Sequence, residues 1–314
     1  MKETLETSET KYKRVLIVVN KWWECDPVML ALLNNNARPP ELGWPYPLHY
    51  PVQEHQLSHD PRAVFTLSHV QVEVWCISDL LAKYPNISQY QSSSERKMDE
   101  LPLIFRYSKQ PDLVVAVGTA AAYPPDVSVN GSVICGTKIF LHNAHPNGEN
   151  PWSNWQDGPF DKVIDSPLAV DDFKVITDIE TSPPEVMKRF LVAPLNPDPC
   201  GGQFIAEYKY VDLNIINVTD YSEYEEKDEE TLEAYQKEYD PDDGRSLETT
   251  HGLIRVAAGM NTPFLFVSGI VDRVGHFNED VNPRSYAQNT SGAHNAGIVV
   301  AWMLPKIDAL FEAG

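Results

Sequence analysis

The sequence is short of positive charge. Its 25 Lys and Arg stand against 45 Asp and Glu, for a formal net charge of −20. So acidic a surface repels nucleic acid and anionic membrane, and neither is expected as a partner. Cysteine is also scarce. Cys25, Cys76, Cys135 and Cys200 lie far apart with no C-x-x-C pair. This pattern speaks against a disulfide scaffold or zinc site and for buried, reduced thiols in a cytoplasmic protein. No apolar run approaches the roughly 18 residues of a membrane span. Met1 to Tyr12 is polar and lacks the apolar centre of a signal peptide, so a frayed tail is expected over 1–12. Ser268 is in no G-x-S-x-G context, so no hydrolase triad is expected. His55 and His59 fall in a proline-rich stretch, and His142 and His145 are only a pair, so no metal and no cofactor is expected.

What is present is an α/β rhythm. Hydrophobic residues make up 42% of the chain and charged ones 22%, as in an ordinary globular protein. The apolar run from Arg14 to Val19 predicts a central strand buried on both faces. Asp26 suits a helix N-cap and Pro27 a first helical position, predicting a loop over 21–27 and a helix over 28–34. Pro39, Pro40, Pro45, Pro47, Pro51 and Pro61 then exclude long regular elements. Strands are predicted over 70–77, over 112–118 ahead of a small-residue turn, and over 131–136 and 138–142 after an Asn130-Gly131 turn. Helices are predicted over 94–107, 182–191 and 292–311, the last opening on small residues that allow close packing on a sheet. Residues 221–244 carry an acidic run that reads as a solvated segment. The alternation favours one α/β domain spanning 1–314, with insertions near 35–65, 146–160 and 221–244.

One stretch concentrates chemistry. Glu248 precedes an apolar helical run, Gly259 to Pro263 punctuate, Phe264 to Val267 read as a strand, and Asp272 lies past its end. A helix-turn-strand unit of this kind delivers two carboxylates to one rim of a sheet.

Four pieces of the sequence together resemble the nucleoside phosphorylase/nucleosidase superfamily, in particular the methylthioadenosine/S-adenosylhomocysteine nucleosidases. They are Ile17-Val18-Val19-Asn20-Lys21-Trp22-Trp23-Glu24, Val115 to Ala121, Val129 to Val133, and Leu247-Glu248 together with Pro263 to Asp272. The resemblance implies a three-layer α/β/α fold with a central mixed, mostly parallel twisted sheet. It implies cleavage of the N-glycosidic bond of a purine nucleoside by water. Asp272 would then protonate the leaving base and Glu24 would position and activate the water. Glu248 would hold the ribose hydroxyls, with Leu247 packing on the sugar. Thr119 and Ala120 would line the pocket, Phe204 and Ile205 would meet the base, and Ser268 would be a further substrate-binding residue. It also implies a homo-oligomer.

The sequence departs from the family in two places. The family pattern Arg-x-x-Ser-Asp is here Ser268-Gly269-Ile270-Val271-Asp272. No phosphate-binding loop follows the first strand, where Asn20-Lys21-Trp22-Trp23 stand, although Lys21 and Arg273 could meet a phosphate. Hydrolysis is therefore favoured over phosphorolysis. A phosphate-dependent phosphorylase, and a nucleoside-sensing homologue without turnover, remain the alternatives.

Overall fold

A computed structural model describes residues 12–33, 60–81, 93–106, 110–122, 131–141, 163–178, 204–205, 209–212, 244–248, 250–276, 279 and 286–312. Apart from boundary residues, the expectations for the tail, the three insertions, a helix over 182–191 and the two histidine pairs lie outside the described residues.

The sheet is built around two long strands. Lys13–Val19 form β1, and Leu113–Ala122 form β4 parallel to it. β3 (Val70–Cys76) lies parallel on the other side of β1, with β2 (Ala63–Thr66) antiparallel beyond it. β11 (Phe264–Arg273) runs parallel to β4. It pairs in turn with antiparallel β5 (Val133–Gly136), which pairs with β8 (Phe204–Ile205). At the far end of β4, β10 (Gly244–Leu247) joins antiparallel. It is followed by β9 (Lys209–Asp212), β6 (Lys138–Leu141) and β7 (Val163–Asp165). Among the described residues the result is one mixed, mostly parallel sheet of eleven strands.

Alternation along the central strands makes two cores. Val15, Ile17, Val19, Val115, Val117, Leu265 and Val267 pack on one face. There they meet α1 (Trp22–Leu33), α4 (Val170–Thr177) and a long C-terminal helix, Tyr286–Glu312, called α6. Leu16, Val18, Val114, Ala116, Phe264 and Phe266 pack on the other. Their partners are α2 (Ile77–Leu81), α3 (Ser93–Arg106) and α5 (His251–Ala257). Helix, sheet and helix are the three layers implied by the resemblance.

Four boundaries differ from expectation. Helix α1 starts at Trp22, so Pro27 falls inside it and not at its first position. The cause is Glu24, whose Oε2 accepts the Lys21 N–H at 2.9 Å while the Lys21 carbonyl accepts from Cys25 N. A glutamate reaching back to the capping residue nucleates the first turn ahead of Asp26. Strand β4 continues through Gly118 to Ala122 where a turn was expected, because β11 and then β10 flank it. Asp272 lies within β11 and not beyond it. Helix α6 begins at Tyr286, six residues before Gly292.

Helix α6 crosses the sheet at backbone contact, as its small residues allow. A Cβ on Gly269 would lie 2.0 Å from the Gly292 carbonyl oxygen, and one on Gly292 would lie 2.3 Å from Val271 Cγ1. Any larger residue at either position would push helix and strand apart.

Candidate active site

The site starts from an interruption in the sheet. β1 accompanies β4 only as far as the Val19–Val117 pair, and β10 joins at Ala121 and Ala122. Among the described residues, Gly118, Thr119 and Ala120 have no strand beside them on that edge. β11 continues along the other edge, with Ser268 opposite Gly118 and Gly269 opposite Thr119. A backbone amide in a sheet interior needs an acceptor. Glu24 supplies it: its Oε1 accepts both the Thr119 N–H and the Thr119 hydroxyl, each at 2.8 Å. The same carboxylate that caps α1 therefore fills the interruption. Gly118 leaves room for it, since a Cβ there would lie 3.1 Å from Glu24 Oε1 and 3.3 Å from His251 Nε2.

Glu248 follows β10 directly. Its Oε2 accepts the amides of Thr250 at 2.5 Å and His251 at 2.6 Å, at the amino end of α5. That placement also complements the helix dipole. The His251 ring is buried, with Nδ1 4.0 Å from Glu248 Oε2 and 3.4 Å from the Ser268 hydroxyl. Lys97, from α3, is buried and donates to the Thr250 hydroxyl at 2.6 Å. Glu24, Thr119, Glu248 and Ser268 are thus brought together. Lys97 and His251 are the two members that sequence reading missed. His251 had a signal, an acid–His pair three apart where a helix begins. Lys97 had none, because its partner Thr250 is 153 residues away.

The remaining candidates are placed by strand register. Ala121 of β4 pairs with Leu247 on one side and with Asp272 on the other. Leu247-Glu248 and Asp272 therefore flank one strand end, about two strand spacings or 10 Å apart. The register slips between Ile270 and Asp272, which makes Val271 an extra residue on β11. Bulges of this kind change the aim of the side chains that follow. Asp272 is partly exposed, whereas Ala120, opposite Ile270, is buried. Phe204 and Ile205 pair with Val133 and Ile134 of β5, which puts their backbone two strands from β11.

The electrostatics are unbalanced. Burial raises the Glu24 carboxyl above its usual value, and the neighbouring charge of Glu248 raises it further. Burial also raises Glu248, against which Lys97 and the amides of His251 and Thr250 pull downward. Burial pushes His251 down to about 3 despite the nearby Glu24. The imidazole is therefore neutral at ordinary pH, and among the described residues it shares the site with Glu24, Glu248 and Lys97. Such a site can hold hydroxyls, take a proton from water and face developing positive charge. Among the described residues, no group of three His, Cys, Asp or Glu could hold a metal ion, and no helix is long and apolar enough to cross a membrane.

No protein-family model matches the sequence, and no curated protein matches it. Solved structures do match. Apo 5′-methylthioadenosine nucleosidase of Arabidopsis thaliana superimposes with a TM-score of 0.52 at 10% identity, over 96% of this chain and 97% of that one. The adenine-bound protein of Borrelia burgdorferi assigned as a 5′-methylthioadenosine/S-adenosylhomocysteine nucleosidase gives 0.53 at 10%, over 93% and 99%. The adenine complex of the corresponding nucleosidase of Colwellia psychrerythraea gives 0.50 at 11%, over 94% and 96%. At such identities the likeness shows the fold alone, a three-layer α/β fold shared with those nucleosidases.

Proposed function

We propose, with this fold as the premise, that the chain is a purine nucleoside N-ribosyl hydrolase. The observation that carries the reading is the convergence on the end of β4. Thr119 is held by Glu24, Glu248 follows the strand on one side of Ala121, and Asp272 stands on the other. Two acids that flank the strand end, with a third from α1 bonded to Thr119 of the strand, match the demands of N-glycoside cleavage. A purine leaves as a neutral base only if it gains a proton, and the sugar becomes cationic as the bond stretches.

In this scheme Glu248 holds the ribose hydroxyls. Glu24, with its affinity for protons raised by burial, takes the proton of the water whose oxygen attacks the anomeric carbon. The carbon–nitrogen bond breaks and Asp272 delivers a proton to the departing base. Leu247, Phe204 and Ile205 are assigned to the walls around sugar and base, with Thr119 and Ala120 on the floor. Ser268 acts through His251, which its hydroxyl meets in the buried interior.

The test is base release from a panel of purine nucleosides, with and without phosphate, followed by absorbance and chromatography. Release of free base and free ribose without phosphate is the expected result. Release only with phosphate would make the chain a phosphorylase. Ligand-induced rise in melting temperature with no release over hours would make it a nucleoside-binding homologue. The burial of Ser268, where the family pattern has Arg, favours that second reading over phosphorolysis. A homo-oligomer is part of the proposal, and light scattering after size exclusion checks it.

A further inference from the structure

The site contains a buried lysine to which the resemblance gives no part. Lys97 is fully buried on α3, and its ammonium donates to the Thr250 hydroxyl at 2.6 Å. The Thr250 amide donates to Glu248 Oε2 at 2.5 Å. Lys97, Thr250 and Glu248 thus form one chain of contacts from helix α3 to the end of β10. A buried ammonium is costly unless a carboxylate compensates it. Among the described residues, charged or titratable groups from three elements bear on Glu248. Lys97 comes from α3, Glu24 from α1, and His251 from Glu248's own side of the site. Glu100, also buried, lies one turn along α3 from Lys97. Arg255 of α5 is committed to the other end of that helix, donating to the carbonyls of Gly259, Met260 and Asp165.

Two carboxylates that disfavour each other's charge need one cation to share the space. We propose that Lys97 is a positioning residue: acting through Thr250, it supplies the charge that keeps Glu248 ionised and aimed while Glu24 stands close by. Lys97 touches no reacting atom in this scheme. It decides which of the two acids is anionic, and so which accepts hydroxyl hydrogens and which exchanges a proton with water. Its catalytic consequence rests on the nucleosidase reading, but the charge pairing itself is measurable in the free protein.

The experiment compares melting temperature against pH for wild type, Lys97→Met, Lys97→Arg, Glu248→Gln and the double variant Lys97→Met/Glu248→Gln, all without ligand. In Lys97→Met, Glu248 loses its cation, its folded-state proton affinity rises, and the loss of stability with rising pH extends to higher pH by about one unit or more. Lys97→Arg restores the wild-type profile at least in part, and adding Glu248→Gln removes the displacement. Equal destabilisation by Lys97→Met at every pH, in both backgrounds, overturns the proposal and leaves Lys97 as packing. Should Lys97→Met not fold, recovery of folding in the double variant supports the pairing, and failure of both overturns it. If wild type releases no base yet the displacement is found, the nucleosidase reading fails and the pairing stands. If wild type is active, the same displacement is expected in the pH–rate profile of Lys97→Met, with kcat falling more than KM rises.

Discussion

The two ends of β1 handle buried charge in opposite ways. At its amino end, Arg14 meets Glu73 in a two-pronged pair, Nε to Oε1 at 2.8 Å and NH2 to Oε2 at 2.7 Å, with Trp75 Nε1 donating to the same carboxylate at 3.0 Å. Each charge has its opposite, and each oxygen has donors. At its carboxyl end, among the described residues, two carboxyl groups and a neutral imidazole share the space with Lys97. The first arrangement joins β1 to β3 and asks nothing of a ligand. The second holds two neighbouring acids whose affinity for protons is raised by burial, and a ligand that becomes positive would stabilise their charged forms. Perturbation of this kind by burial plus like charge is what separates a site from a structural ion pair.

That contrast can be broken by substitution. The largest effect is expected for Glu24→Gln: base release should drop by about 10²- to 10⁴-fold with the fold retained. Unchanged turnover in a steady-state assay would remove Glu24 from the chemistry. At the other end, Glu73→Ala leaves Arg14 buried without its partner and should cost about 3–5 kcal/mol of stability. Chemical denaturation measures this, with activity per folded molecule unaffected. Gly269→Ala should cost about 1–3 kcal/mol through overpacking against Gly292, and should also lower activity by shifting the strand that carries Asp272. Glu248→Gln should cost less than Glu73→Ala, about 1–2 kcal/mol, because its amide oxygen can still accept from the amides of α5 although Lys97 loses the carboxylate that offsets its charge. A cost as large as that of Glu73→Ala would show that the two ends do not differ.

Acid sharpens the comparison further. His251 is held neutral in the folded state down to about 3, against an ordinary value of 6.5. The unfolded chain binds the extra proton between those values, so this group's contribution to stability is present above about pH 6.5 and is lost as pH falls toward 3. Glu24 and Glu248 have the reverse sign. Raised folded-state affinity for protons gives stability at low pH that is lost as pH rises through their folded values. His251→Phe should therefore flatten the acid side of the stability curve and leave the alkaline side in place, as thermal melts across pH would show.

Much of the fold was legible because its signals are local. The run Val15 to Val19 and the alternation around Val72 and Val74 carry their own period, and both became central strands. Glu248 and Asp272 were legible through a shared motif at either end of a helix-turn-strand unit. The misread boundaries came from contacts across the chain. Lys21 is no usual cap, and α1 starts there only because Glu24 returns to its amide. Gly118 to Ala122 resemble a turn by composition, but β11 and β10 draw them into strand. Lys97 lay beyond reach for the same reason, since nothing near it in sequence indicates Thr250.

The interruption beside β4 has one more consequence. The Thr119 amide is protected from solvent hydrogen by a carboxylate and not by a neighbouring strand. Amides in a ladder exchange when the sheet opens, whereas this one exchanges when a side chain lets go. Its exchange rate is therefore a gauge of Glu24 alone. Read across pH or with a nucleoside added, it reports when that acid takes up a proton or turns toward a ligand, without any turnover being measured.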